Sequence, residues 1–89
     1  MEFNIIEESK KRIVFELTWE THSFCNALKN ELLKVKGVEI ATYKIDHPLV
    51  GIPTFVLETS GIEPRDALKK GIEGLKKLAK EFQKEVKKL

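Results

Sequence analysis

His22, Cys25 and His47, with Asp46 beside the last, are the side chains of this 89-residue chain best suited to ligate a metal or to react. His22 and Cys25, three residues apart, would share a helix face, a spacing that a zinc site can use. The paired Cys or His spacings of structural zinc sites are absent, so the expectation is no metal. A cysteine near a helix N-terminus has its thiolate favoured, which makes Cys25 with a histidine a candidate nucleophile. Its neighbours Phe24, Ala27 and Leu28 argue instead for a small buried side chain. The chain carries no glycine-rich phosphate loop and no paired-carboxylate motif. No catalytic residue and no cofactor are therefore expected, and the role of these residues must come from the elements that hold them.

Those elements read clearly. Phe3 and Ile5 alternate in a short first strand, with a hairpin turn expected in the polar group Glu7, Glu8, Ser9 and Lys10. Ile13, Phe15 and Leu17 fall on one face of a second strand. Thr21 is placed to cap a helix in which Phe24, Leu28, Leu32 and Val35 recur at helical spacing until Gly37 ends it. Residues 38–45 alternate as a third strand running into His47-Pro48. Pro53 opens a fourth, TFVLET, which Ser60-Gly61 closes. The order β-β-α-β-β-α predicts an α+β fold: a two-layer sandwich, a four-stranded antiparallel sheet with both helices on one face. All 89 residues make a single domain.

The long C-terminal helix carries the strongest periodicity. Pro64 suits its first turn, and Leu68, Ile72, Leu75, Ala79, Phe82, Val86 and Leu89 then follow at alternating spacings of four and three. That is the seam of a helix packed lengthwise on another helix. At 1.5 Å per residue the helix measures about 39 Å, which strands of about 17–20 Å cannot cover. The distal seam should overhang the domain and require cover from another chain. Gly71 and Gly74 each weaken a helix interior by about 1 kcal/mol relative to Ala, a cost that a close backbone approach would explain.

Charge is uneven. Residues 1–63 hold seven Lys/Arg against ten Asp/Glu, whereas residues 64–89 hold nine against four. A basic last helix could meet nucleic acid or an acidic protein surface, but the bland reading is a solvated lysine-rich face. A single cysteine suits a reducing compartment. The N-terminal sequence has no signal-peptide pattern, and no apolar run approaches the roughly 20 residues of a membrane span. An intracellular protein that makes no membrane contact is expected. A four-stranded sheet with two helices also describes RNA-recognition modules, whose central strands display aromatics for base stacking. Here Phe15 shares its face with Ile13 and Leu17, a core pattern, and the basic-glycine-aromatic run of those modules is missing.

The stretch from Trp19 to Gly61 resembles the small assembly subunit of archaeal RNA polymerase, subunit L, a family related to the dimerisation region of the bacterial alpha subunit. The family's His-Thr-Leu-Gly-Asn-Leu-Leu-Arg motif is matched by His22, Ser23, Phe24, Cys25, Asn26, Ala27, Leu28 and Lys29. About twenty residues on, its Tyr-Arg-Ile-Pro-His-Pro-Leu motif is matched by Tyr43, Lys44, Ile45, Asp46, His47, Pro48 and Leu49. The departures are Phe24 for leucine, Cys25 for glycine and Asp46 for proline. At position 25 a Cβ and a sulfur must fit where a backbone would otherwise approach closely.

The resemblance implies a transcription protein, a structural subunit of DNA-directed RNA polymerase, a nucleotidyltransferase complex whose catalytic residues lie on other chains. It implies a cytoplasmic heterodimer with the larger alpha-like subunit, D, paired through helices and serving as platform for the other polymerase subunits, with DNA met only indirectly. His22, Phe24, Asn26, Leu28 and Leu32 on the first helix, and Leu75, Ala79, Phe82, Val86 and Leu89 on the last, are the expected partner-interface residues. Cys25, Tyr43, His47, Pro48, Leu49 and Pro64 are expected to be structural, Pro48 holding residue 47 extended. The alternatives are a small α+β dimerisation or nucleic-acid-binding module, marked by DNA binding through the basic helix alone, and a small enzyme, marked by metal or a reactive Cys25.

Overall fold

The alternating apolar residues of the first and second halves meet in one sheet. In a computed structural model, which describes residues 2–18, 22–45 and 51–89, the elements are β1 (Glu2–Glu8), β2 (Arg12–Thr18), α1 (His22–Leu33), β3 (Val38–Lys44), β4 (Thr54–Thr59) and α2 (Pro64–Lys87). The order is β-β-α-β-β-α, as expected, and the chain is an α+β protein. Thr21, the expected helix cap, and residues 46–50 lie outside the described residues.

The sheet is antiparallel throughout, in the order β1-β2-β4-β3. β2 and β3 therefore run the same way with β4 inserted between them. Strands with that relation need a long crossover, which α1 supplies. Ile13, Phe15 and Leu17 of β2, Ala41 of β3, and Phe55 and Leu57 of β4 form one buried cluster with Cys25, Leu28 and Leu32 of α1 and Ala67 and Leu68 of α2. Both helices thus cover the same face. An aromatic row crosses that face in strand order. Phe3 lies 5.5 Å from Phe15, Phe15 stacks on Phe55 at 5.0 Å, and Tyr43 stacks on Phe55 at 5.1 Å. Such pairs add about 0.5–1.5 kcal/mol each beyond their buried area. Phe15 and Phe55, being buried, form core and not a platform for bases.

Three details differ from the sequence reading. α1 closes at Leu33, short of Val35 and Gly37. β1 extends through Glu8, so the hairpin turn is confined to Ser9–Lys11, closed by the Ser9 N–H donating to the Arg12 carbonyl at 2.8 Å. The pairing register also shifts in β1 between Ile5 and Glu7 and in β3 between Val38 and Ile40. Side chains alternate with period two, so an extra residue moves everything beyond it to the other face. Val38, Ala41 and Tyr43 all pack on the core side, whereas Ile40 is left 44% exposed.

Gly37, at φ 97°, turns the chain from α1 into β3. Its carbonyl accepts from the Ser60 N–H at 2.8 Å, and a Cβ there would stand 2.9 Å from the Ser60 carbonyl oxygen. The turn after β4 thus presses on the turn after α1. α2 then begins with Pro64 in its first turn after extended Glu63. Its start is tied to the far end of the chain: Arg65 grips Glu8 with Nε at 2.5 Å and Nη2 at 2.9 Å.

Candidate partner-docking surface

Where α2 crosses α1, the two interior glycines find their reason. A Cβ on Gly71 would lie 2.6 Å from Leu32 Cδ2, and one on Gly74 would strike the Glu31 carboxylate. Close approach at this crossing sets how α2 lies: Ala67, Leu68 and Gly71 are buried, Ile72 and Leu75 half-buried, and every residue from Lys76 onward is exposed. The seam therefore divides. Its first turns belong to the chain's own core, while Leu78 (47% exposed), Phe82 (71%), Val86 (49%) and Leu89 extend beyond it with Ala79. At 100° per residue, Leu75, Leu78, Ala79, Phe82, Val86 and Leu89 fill an arc of about 100°, the width of a core-facing stripe. Among the described residues, no core faces its distal end.

The stripe runs into a groove. α1 packs on β3 while α2 packs on β4 and β2, so the helix-side residues of β1, Phe3 and Ile5, stay 38% exposed. Between this edge and the helices lies an apolar groove of about 190 Å³, lined by Phe3, Phe24, Ile72, Leu75 and Ala79 together with Leu28 and Lys76. Groove and stripe form one continuous apolar surface. Contiguous exposed apolar surface of this kind is a candidate interaction site.

The expected interface residues sort accordingly. Phe24, Leu75 and Ala79 line the groove, and Phe82, Val86 and Leu89 carry the stripe outward. Asn26 is exposed on α1. Leu28 and Leu32 require correction: both are completely buried in the chain's own core, because α2 and the sheet already cover that face of α1. Neither presents free surface to another chain. The side chain of His22, and all of Asp46, His47, Pro48 and Leu49, lie outside the described residues.

Cys25 is buried in the core cluster, so the sulfur fits where the resemblance has a glycine. Tyr43, half-buried on β3, has its phenol raised above the ordinary tyrosine value, chiefly by burial and secondarily by Cys25. Pro64 is buried at the start of α2. Phe3 and Leu78 were missing from the expected surface. Leu78 stands one position off the heptad seam, which a search for strict spacing passes over. The exposure of Phe3 depends on β1 being an uncovered edge, which no local pattern reports.

No helix among the described residues is long and apolar enough to cross a membrane. Residues 12–85 match the family model described as the RNA polymerase Rpb3/Rpb11 dimerisation domain. The chain is 40% identical over 90 residues to DNA-directed RNA polymerase subunit Rpo11 of Sulfolobus acidocaldarius, covering the whole of both. It is 43% identical over 82 residues to the subunit of that name from Nanoarchaeum equitans, covering 91% of this chain and 82% of the relative. The fold is similar to the crystal structure of DNA-directed RNA polymerase subunit L from Thermoplasma acidophilum, with a TM-score of 0.85 at 25% identity over 98% of this chain and 86% of that one.

Proposed function

This chain belongs to the RNA polymerase Rpb3/Rpb11 dimerisation-domain family, and from that premise we propose that it is a non-catalytic assembly subunit of a DNA-directed RNA polymerase. It pairs with the larger alpha-like subunit, D, and the pair forms the platform on which the catalytic subunits assemble inside the cell. The observation that carries this reading is the apolar stripe of α2, which continues past the chain's own core through Phe82 and Val86 and is contiguous with the groove beside Phe3. A helix from the partner laid along the stripe would bury both. Burial at roughly 25 cal/mol per Å² of apolar surface supplies the driving force, and large aromatics such as Phe82, set in the middle of such a stripe, dominate interface energetics. DNA is met only through the assembled enzyme.

Affinity purification of the tagged chain from its native host tests the reading. The larger alpha-like subunit and the catalytic polymerase subunits are expected to co-purify in fixed proportion. Recovery of the chain alone, or with nucleic acid and no polymerase subunit, overturns it.

A further inference from the structure

The docking stripe of α2 is bordered by opposite charge on its two sides. At 100° per residue, and measured from Leu75, one flank carries Lys76, Lys80, Gln83 and Lys87 at about 80–140°. Glu73 stands at the proximal end of that flank, and beyond it the row holds no acid. The other flank carries Glu81 and Glu85 beside Leu78, at about 240–300°. The fold decides which way this polarity points. Lys76 lines the same groove as Phe3 of β1 and stands about 160° around α2 from Gly74, so the lysine flank lies on the β1 side. Gly74 faces Glu31 of α1, so the acidic flank lies on the α1 side. Lys76, Lys80 and Lys87 are exposed. Among the described residues, the ion pairs of α2 are Arg65 with Glu8 and Lys88 with Glu85, and neither occupies the lysine row.

Building on the docking role proposed above, we propose that this polarity selects the partner: the occupant of the stripe is an amphipathic helix whose flank along the β1 side is acidic and meets Lys76, Lys80 and Lys87. The row spans about 16 Å, eleven residues at 1.5 Å each. It borders the apolar stripe directly, so a helix docked there brings its own flanking residues opposite these lysines. Flanking charges of this sort set partner choice and orientation in paired helices.

A second copy of this chain fits poorly. The proximal stripe is covered by the chain's own sheet, so a copy running parallel would collide with that sheet after the last turns. An antiparallel copy related by twofold symmetry returns each flank to its own kind. It sets lysine row against lysine row and Glu81 and Glu85 against their counterparts. Like charges so placed act against self-pairing, whereas a helix of complementary polarity meets no such penalty.

Two triple variants of the full-length chain separate position from net charge. Lys76→Glu/Lys80→Glu/Lys87→Glu reverses the row beside the stripe. Lys70→Glu/Lys77→Glu/Lys84→Glu makes the same change in net charge on the back of α2, about 180–220° from Leu75. Each is titrated against the larger alpha-like subunit by fluorescence anisotropy at low and high salt, with far-UV circular dichroism to confirm the fold. Reversal of the row is expected to weaken binding by about 100-fold at ~50 mM salt and by less than about tenfold at ~500 mM. Reversal of the back face is expected to change it by less than about threefold. Equal effects of the two variants, or an effect of the row that salt leaves untouched, overturn the inference while leaving the docking role standing. A wild-type chain that fails to bind the larger subunit overturns both.

Discussion

Gly71 and Gly74 lie three residues apart where α2 crosses α1, yet a methyl group at the two positions meets different neighbours. At Gly71 it would press on Leu32, which is completely buried and held on all sides by the core. At Gly74 it would meet the far end of the Glu31 side chain, a buried but flexible carboxylate that bonds the exposed Lys34 at 2.6 Å and can shift toward it. Alanine gains about 1 kcal/mol of helix propensity over glycine at either site. Overpacking a core typically costs about 1–3 kcal/mol. Gly71→Ala is therefore expected to lower stability by about 1 kcal/mol, and Gly74→Ala to leave it unchanged or raise it by up to about 1 kcal/mol. Urea midpoints of the two variants decide. The same order of stability for both would show that α1 and α2 do not touch as closely as described.

Between elements, the Arg65–Glu8 pair joins the end of β1 to the first turn of α2. Its hydrogen bond from Arg65 holds the Glu8 carboxyl below the ordinary glutamate value. A carboxyl depressed in the folded state contributes stability above its unfolded value and loses it as pH falls through the folded one. Glu8→Gln is thus expected to melt below the wild type at pH 7, with the difference closing below about pH 4. A gap that persists in acid would assign the effect to something other than the charge. The distal half of α2 offers the opposite kind of test. Phe82, 71% exposed, has little to do with folding, so Phe82→Asp should alter the stability of the isolated chain by no more than about 0.5 kcal/mol. In a complex it places an unpaired charge in an apolar contact, which is expensive, and heterodimer formation should be lost in size-exclusion chromatography. Unfolding of the isolated variant would return the distal stripe to the private core.

As a whole, the molecule holds part of its apolar surface outside its own core. A chain of 89 residues buries only about 60–65% of its unfolded surface, and this one leaves Phe3, Ile5, Leu78, Phe82 and Val86 between 38% and 71% exposed. Binding to the folded state alone stabilises it by about 2.7 kcal/mol at a partner concentration of 100 times Kd. In a domain of this size that corresponds to a rise in Tm of roughly 10–20 °C. Differential scanning fluorimetry of the chain with and without the larger alpha-like subunit measures it. A melting temperature indifferent to that subunit would mean that the stripe is not where it docks.

Local chemistry made much of this legible beforehand. Period-two alternation located β2, β3 and β4, with TFVLET matching β4 residue for residue, and Pro64 marked the start of α2 because a missing N–H costs nothing there. The seam of α2 and its excess length were likewise written in spacing alone. What spacing does not contain is which surface covers which. The strand order, with β4 between β2 and β3, arises from hydrogen bonding between segments far apart in the chain. That order leaves β1 as the bare edge on which Phe3 stands exposed. The bulges that send Ile40 to the open face are set by how paired strands accommodate one another. Leu28 and Phe82 carry equally apolar side chains on equally periodic helices, yet one is sealed beneath α2 and the other projects beyond it. Amphipathic periodicity shows that a face must be covered. Only the tertiary packing decides whether the cover is this chain or another.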